Sequence, residues 1–305
     1  MSFAFNASAL AFGGRIQQPG CDVIPSQASV SLAPSGGEGY QTVRNFDYKG
    51  IITFDEASVY VAGSEHGDIR NTLASVTIKN LNVLNLLHAD LLSSRITSRH
   101  VLGEPEGEIT VHGTSAENLR IGGKPAKVNF NHDFYARYAT HAKLADVMRR
   151  VSGQVDDDHV RGLIAEDARK AEIATNCSLE SALERSQRKT VAELMADRFC
   201  WNADNCQQGA PDDHGSIHCS LVDSIEGIDV VDESGIDPAE LRSRYPVRRH
   251  GYVVKVAEFG SIKVGELIIK PGERRLNLLR FQFGCPIIGD GTAGSVTTNG
   301  TDMFP

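Results

Sequence analysis

Four residues past the middle of the chain have the types and order of a metal site: Cys200, Cys206, His214 and His218, a C-x5-C-x7-H-x3-H run with Cys219 beside it. Thiolate and imidazole ligands suit tetrahedral zinc, and histidines four residues apart can turn both rings to one side of a helical turn. Two features pull the other way. Structural zinc sites usually begin with two to four residues between the cysteines, and Ile217–Val222 reads as strand. The same cysteines also suit a disulfide clamping a loop, Cys200 to Cys206 or Cys177 to a later one, or buried thiols packing as small apolar groups. A structural zinc is one of these three expectations; no other cofactor is expected.

Acid–base chemistry has its own candidates. His88 and Asp90 are close in sequence, His100 and His112 fall on neighbouring expected strands, and Glu258, Glu266 and Glu273 lie on carboxy-terminal hairpins. Catalysis needs two such groups within hydrogen-bond reach of one substrate. Asp90 and Glu258 are the catalytic candidates, set against a reading of both as solvated strand-face residues. A third possibility is a groove in which Trp201, Phe199 and Tyr245 lie beside Arg248, Arg249 and His250. Aromatic faces and guanidinium forks there would suit an anionic or sugar partner. Asp156-Asp157-Asp158 lacks the alternating oxygen ligands of a calcium loop and reads as a solvated helix start. The chain carries no phosphate loop, dinucleotide fingerprint or nucleophile elbow.

The elements that would position these groups are mostly strands. Phe3, Phe5, Ala7, Ala9 and Ala11 share one parity of an opening strand, and Gln18–Gly39 reads as a loop that touches a sheet at Ala28–Leu32. Short apolar runs follow at Ile51–Phe54, Ser58–Val61, Leu73–Ile78, Leu91–Ile96, Ile109–His112 and Val128–Phe130, separated by glycine turns. Leu84–Leu87 fits a helical turn as well as a strand. From about His132 the spacing turns helical: Asp133–Val151 with Asp133 as N-cap, then Asp157–Thr175 and Ser178–Phe199. Strands resume at Ile217–Val222, with a short helix at Asp237–Arg244 that Pro238 suits at its first turn. Further strands are expected at Tyr252–Val256, Ser261–Val264, Leu267–Ile269 and Leu276–Phe283. The expected fold is mainly β, an antiparallel sandwich or barrel-like core with a helical insertion, α+β overall. Residues 1–131 and 215–288 form its discontinuous β core, 132–214 the insertion, and 289–305 a loose, glycine-rich tail.

Bulk properties narrow the function classes. A formal net charge of −8 disfavours a general phosphate-backbone binder, so nucleic acid is not expected as a partner. No apolar run reaches the ~18 residues of a membrane span, the best candidates being broken by Asn82, Asn85 and Asp90. Met1–Arg15 has no basic segment ahead of a continuous apolar stretch. The expected location is therefore cytoplasmic, or secreted or cell-surface if a leader has been removed.

Three segments together resemble the β-rich core of bacterial choice-of-anchor secreted and cell-surface proteins. They are Asn71–Val76, Asn80–Leu84 leading to Ala89–Ser94, and Asn118-Leu119-Arg120-Ile121-Gly122-Gly123-Lys124-Pro125. The resemblance covers about residues 3–131 and 215–285 and implies an extracellular, mainly β module, with no catalytic residue to carry over. The expected function is a non-enzymatic surface module for self-assembly or for binding a partner or surface polymer. The alternative is a hydrolase of carbohydrate polymers with its cleft between β core and insertion.

Overall fold

The central strands of the first half are longer than their apolar runs suggest, because the runs are halves of strands that change face midway. β4 (Ile52–His66) buries Ile52 and Phe54, then Ala57, Val59 and Val61; β5 (Ile69–Val83) buries Ala74, Val76 and Ile78, then Leu81 and Val83. β6 (Leu87–Val101) buries Leu87 and Ala89, then Leu92 and Ile96. Buried positions switch from one parity to the other, yet all face one interior. The register is the same on both sides of the switch, Thr53 with Asn82 before it and Glu56 with Lys79 after it, so no residue is inserted. Left-handed residues mark the switch on alternate strands, Asn45 (φ 53°) on β3 (Gly37–Tyr48), Asn80 (φ 54°) on β5 and Asn118 (φ 49°) beyond β6, while β4 and β6 pass it at Asp55 and Asp90. Asparagine tolerates this conformation better than other side chains because its amide bonds locally.

The computed structural model describes residues 2–18, 21–146, 216–231, 236–257, 259–284 and 287–303. They form two sheets packed face to face. One, sheet B, runs β10 (Lys124–Pro125), β9 (Arg120–Ile121), β6, β5, β4, β3 (Gly37–Tyr48), with β7 (Glu108–Val111) and β8 (Ser115–Glu117) also on β6. The other, sheet A, joins the two ends of the chain. Its order is β14 (Asp229–Val230), β15 (Val247–His250), β16 (Val253–Val256), β17 (Gly260–Lys270), β18 (Glu273–Phe283), β19 (Ile288–Met303), β1 (Ser2–Gln18), β2 (Asp22–Ser31). β12 (Ile217–Ser220) pairs beside β17, and β11 (Lys127–Phe130) pairs with β13 (Val222–Glu226). All pairings are antiparallel except β14 with β15. The fold is mainly β.

Sheet A has its own line of face changes. Gly265 (φ 63°), Gly294 (φ 70°) and Ala28 (φ 47°) are left-handed, with Leu278 and Ala11 on the strands between. Side chains of both sheets fill one interior in which Phe54 stacks on Phe46 at 4.8 Å and Phe12 on Phe281 at 5.9 Å. Two polar seams cross it. Ser94 Oγ of sheet B donates to the Gly294 carbonyl of sheet A at 3.0 Å, and the buried hydroxyls of Thr72, Ser98 and Thr298 bond one another.

Several expectations change. The glycine-rich end expected as a loose tail is β19, paired along its length with β18 and β1; small residues suit a strand held between two others. Gln18–Gly39 contributes β2 and the start of β3. Leu84 and Asn85 (φ 53° and 54°) form a hairpin turn between β5 and β6 in place of a helical turn. The helix expected at Asp133–Val151 begins as α1 (His132–Arg137), capped by Asn131 in place of Asp133, and breaks before residues 141–146 turn helical again. Glu106 accepts from the amides of His141 and Ala142 and restarts it. The short helix expected at Asp237–Arg244 is α2 (Pro238–Arg244), with Pro238 in its first turn and Asp237 as its N-cap. The helices expected at 157–175 and 178–199 lie outside the described residues. Among the described residues no helix is long and apolar enough to cross a membrane.

Candidate functional site

The outer face of sheet B is a patterned surface because its hairpins fix the register. Asp47 accepts from the Gly50 amide at 2.7 Å in the β3–β4 turn, and the left-handed pair Leu84-Asn85 sets β5 against β6. One row across the face is then Tyr40, Tyr60, Ser75, Arg95. A second is Thr42, Ser58, Thr77, Ser93, Ser115, and a third Ala62, Leu73, Thr97, Thr110. Strands lie about 4.8 Å apart, so the rows form a grid rich in hydroxyls whose first row runs from an aromatic pair to Arg95. Tyr40 is 67% exposed, and the Tyr60 hydroxyl donates to Glu38 at 3.0 Å, a bond that raises its pKa. Thr97 and Thr110 are 2.9 Å apart, and both lie within 2.9 Å of His112 Nε2. Beside them a shallow trough of about 470 Å³ is lined by Ser64, Asn71, Leu73, Thr97, Arg99 and Glu108, among others.

The line of face changes bounds this grid. Asn80 donates to Asp55 at 2.6 Å and Asn118 to Asp90 at 2.7 Å, so left-handed asparagines alternate with aspartates from strand to strand. Glu56 lies 3.0 Å from Lys79 and 2.9 Å from Arg44, which hold its carboxyl below the usual range.

The residues singled out from the sequence do not gather at one place. Asp90 belongs to the asparagine–aspartate line, with His88 Nδ1 at 3.6 Å. His100 packs on Phe3 with ring centroids 5.2 Å apart, His112 serves the threonine pair, and Glu266 is fully buried with Asn277 and Arg280. Arg248 donates to the Tyr245 carbonyl at 3.4 Å, and Arg249 to those of Ile228 (3.3 Å) and Gly251 (3.1 Å). The two arginines are half-buried and serve the backbone. His218 lies on β12 opposite Ile268, and Cys219 is a buried thiol donating to Leu267 O at 3.5 Å. Glu258, Trp201, Cys200, Cys206 and His214 lie outside the described residues. Sequence reasoning passed over Tyr40, Tyr60, Arg95 and Thr97. Their signal was the polar parity of β4 and β6, Ser58-x-Tyr60 and Ser93-x-Arg95-x-Thr97, read only for its apolar partner.

A family model described as a domain of unknown function (DUF8256) matches residues 3–270, from the first strand through the end of β17. The chain belongs to this family. The DUF8256 match takes in every strand of sheet B and stops before β18 and β19, which complete sheet A. No curated protein and no solved structure matches the chain.

Proposed function

We propose that the protein is a non-enzymatic surface module that binds a polymer, a glycan first among them, across the outer face of sheet B. The observation that carries this reading is the Tyr40–Tyr60 pair in one row with Ser75 and Arg95, beside the row of hydroxyls Thr42, Ser58, Thr77, Ser93 and Ser115. Aromatic rings offer broad apolar faces to the C–H side of a sugar, while hydroxyls and guanidinium groups match its hydroxyls as donors and acceptors. An open face several strands wide suits an extended chain better than a small molecule, which favours enclosure. The resemblance to choice-of-anchor proteins supports a place at the cell surface.

The test is retention on insoluble polysaccharides and cell-wall material, with Tyr60→Ala and Arg95→Ala beside the wild type. Retention is expected, and each substitution weakens it about tenfold, the usual effect of removing an aromatic or arginine anchor. No retention on any support, or equal retention by the double variant, refutes the proposal. Light scattering that finds an oligomer dispersed by Tyr60→Ala reassigns the face to a second copy of the chain and equally refutes polymer binding.

A further inference from the structure

We propose that the trough on the outer face of sheet B is a subsite for an acetamido sugar, so that the polymer of the preceding reading, on which this inference rests, carries N-acetylhexosamine units. The trough, about 470 Å³, is built from two rows in register. One row is Ala62, Leu73, Thr97 and Thr110; the next is Ser64, Asn71, Arg99 and Glu108, running across β4, β5, β6 and β7. Strand alternation turns all of these side chains to the same face. Four strands make each row about 14 Å long, and a two-residue step along the strand sets the rows about 7 Å apart. Tyr60 precedes Ala62 by two residues on β4, so the aromatic row is the next one over. A polymer crossing from the tyrosines reaches the trough within that step.

The two rows differ in chemistry, and an acetamido group carries the complement of both. Ala62 and Leu73 are half-buried and give an apolar floor for its methyl. The Arg99 guanidinium and Asn71 Nδ2 supply donors for its carbonyl, while the Glu108 carboxylate and Asn71 Oδ1 accept from its N–H. The polar row is open to a ligand. Ser64, Asn71, Arg99 and Glu108 are all exposed, and among the described residues the side chains of Ser64, Asn71 and Arg99 make no hydrogen bond or ion pair. Glu108 has the Lys143 ammonium at 3.7 Å, too long for a hydrogen bond, which leaves its oxygens able to accept. The other row is already tied down: Thr97, Thr110 and His112 bond one another and fix that wall. Charge chooses among sugar substituents. Arg99 lies opposite Glu108, so an amine meets the guanidinium and a carboxylate meets Glu108. A neutral amide turns its carbonyl to the one and its N–H to the other.

The experiment is isothermal titration of the full chain with tetramers of N-acetylglucosamine, of identically linked glucose, and of galacturonic acid. The first two differ only in acetamido against hydroxyl. The N-acetylglucosamine tetramer is expected to bind about tenfold or more tightly than the glucose tetramer, the scale of a hydrogen bond to a charged group. The double variant Asn71→Ala, Arg99→Met is expected to cut that preference to about twofold or less. Both side chains are exposed, so the variant is expected to melt like the wild type. Equal affinity for the N-acetylglucosamine and glucose tetramers overturns the inference while leaving the polymer reading in place. A preference that survives in the double variant, or tighter binding of the galacturonate tetramer, overturns it in the same way. Binding of none of the tetramers also overturns it, and retention on the insoluble supports then judges the polymer reading separately.

Discussion

Single side chains couple α1 to the sheets. Arg274 is 1% exposed and donates to the carbonyls of Tyr135, at 3.3 Å, and Tyr138, at the C-terminal end of α1. A cation there meets the negative end of the helix and fills carbonyls that lack partners within it. Burial lowers its pKa to about 10, which leaves it charged at neutral pH. Arg274→Met keeps the volume and removes the donors; the expected loss is about 2–3 kcal/mol in denaturant unfolding, the scale of charged hydrogen bonds. His132 gives a pH dependence. Burial pushes its pKa below the ordinary 6.5, the nearby charge of His112 adds to this, and Asp133 opposes it. Its Nε2 accepts from the Thr114 amide at 3.3 Å, which requires the unprotonated ring nitrogen. The unfolded chain therefore takes up the proton first as pH falls. The contribution is complete above about pH 6.5 and is lost as pH drops toward the lower folded value. A His132→Asn variant is expected to flatten that part of the stability–pH curve; an unchanged curve refutes the assignment.

Whole strands depend on the lines of left-handed residues. At Asn80 a β-branched side chain is forced into a conformation that costs roughly 1–2 kcal/mol, with the bond to Asp55 lost as well. Asn80→Val is thus expected to destabilise by about 2 kcal/mol or more, and Asn80→Gly by much less, since glycine accepts φ 54° freely. Gly294→Ala meets a second obstacle, because the added methyl lies 3.1 Å from Leu278 Cβ. Thermal melts of the three variants check the order. These lines also explain why strands were legible in the sequence only in halves: alternation was correct on each side of Asp55 or Asn80, but a two-residue period cannot carry its phase through a change of face. The break in the first helix follows similar logic, since Glu106, which caps the amides of His141 and Ala142, comes from the loop after β6.

At the scale of the molecule, sheet A is closed by the two ends of the chain. β19 lies between β18 and β1, and removing it separates β1–β2 from the remaining strands of that sheet. A chain ending at residue 287 is expected to lose cooperative unfolding or solubility; a truncated form melting like the full chain refutes this. The antiparallel, mainly β character was fixed by the sequence alone, because alternating apolar residues, glycine turns and the Pro238 helix start are local patterns that need no partner to be read. What only the tertiary structure decided was non-local. Gly289–Met303 has too few large side chains to announce a strand, and becomes one because two long strands present it with unpaired backbone groups. Tyr40, Tyr60 and Arg95 are far apart in sequence and share a row only through hairpin register. Each depends on backbone pairing between distant segments, and that pairing is set by the burial of both sheet faces together rather than by any one stretch of residues.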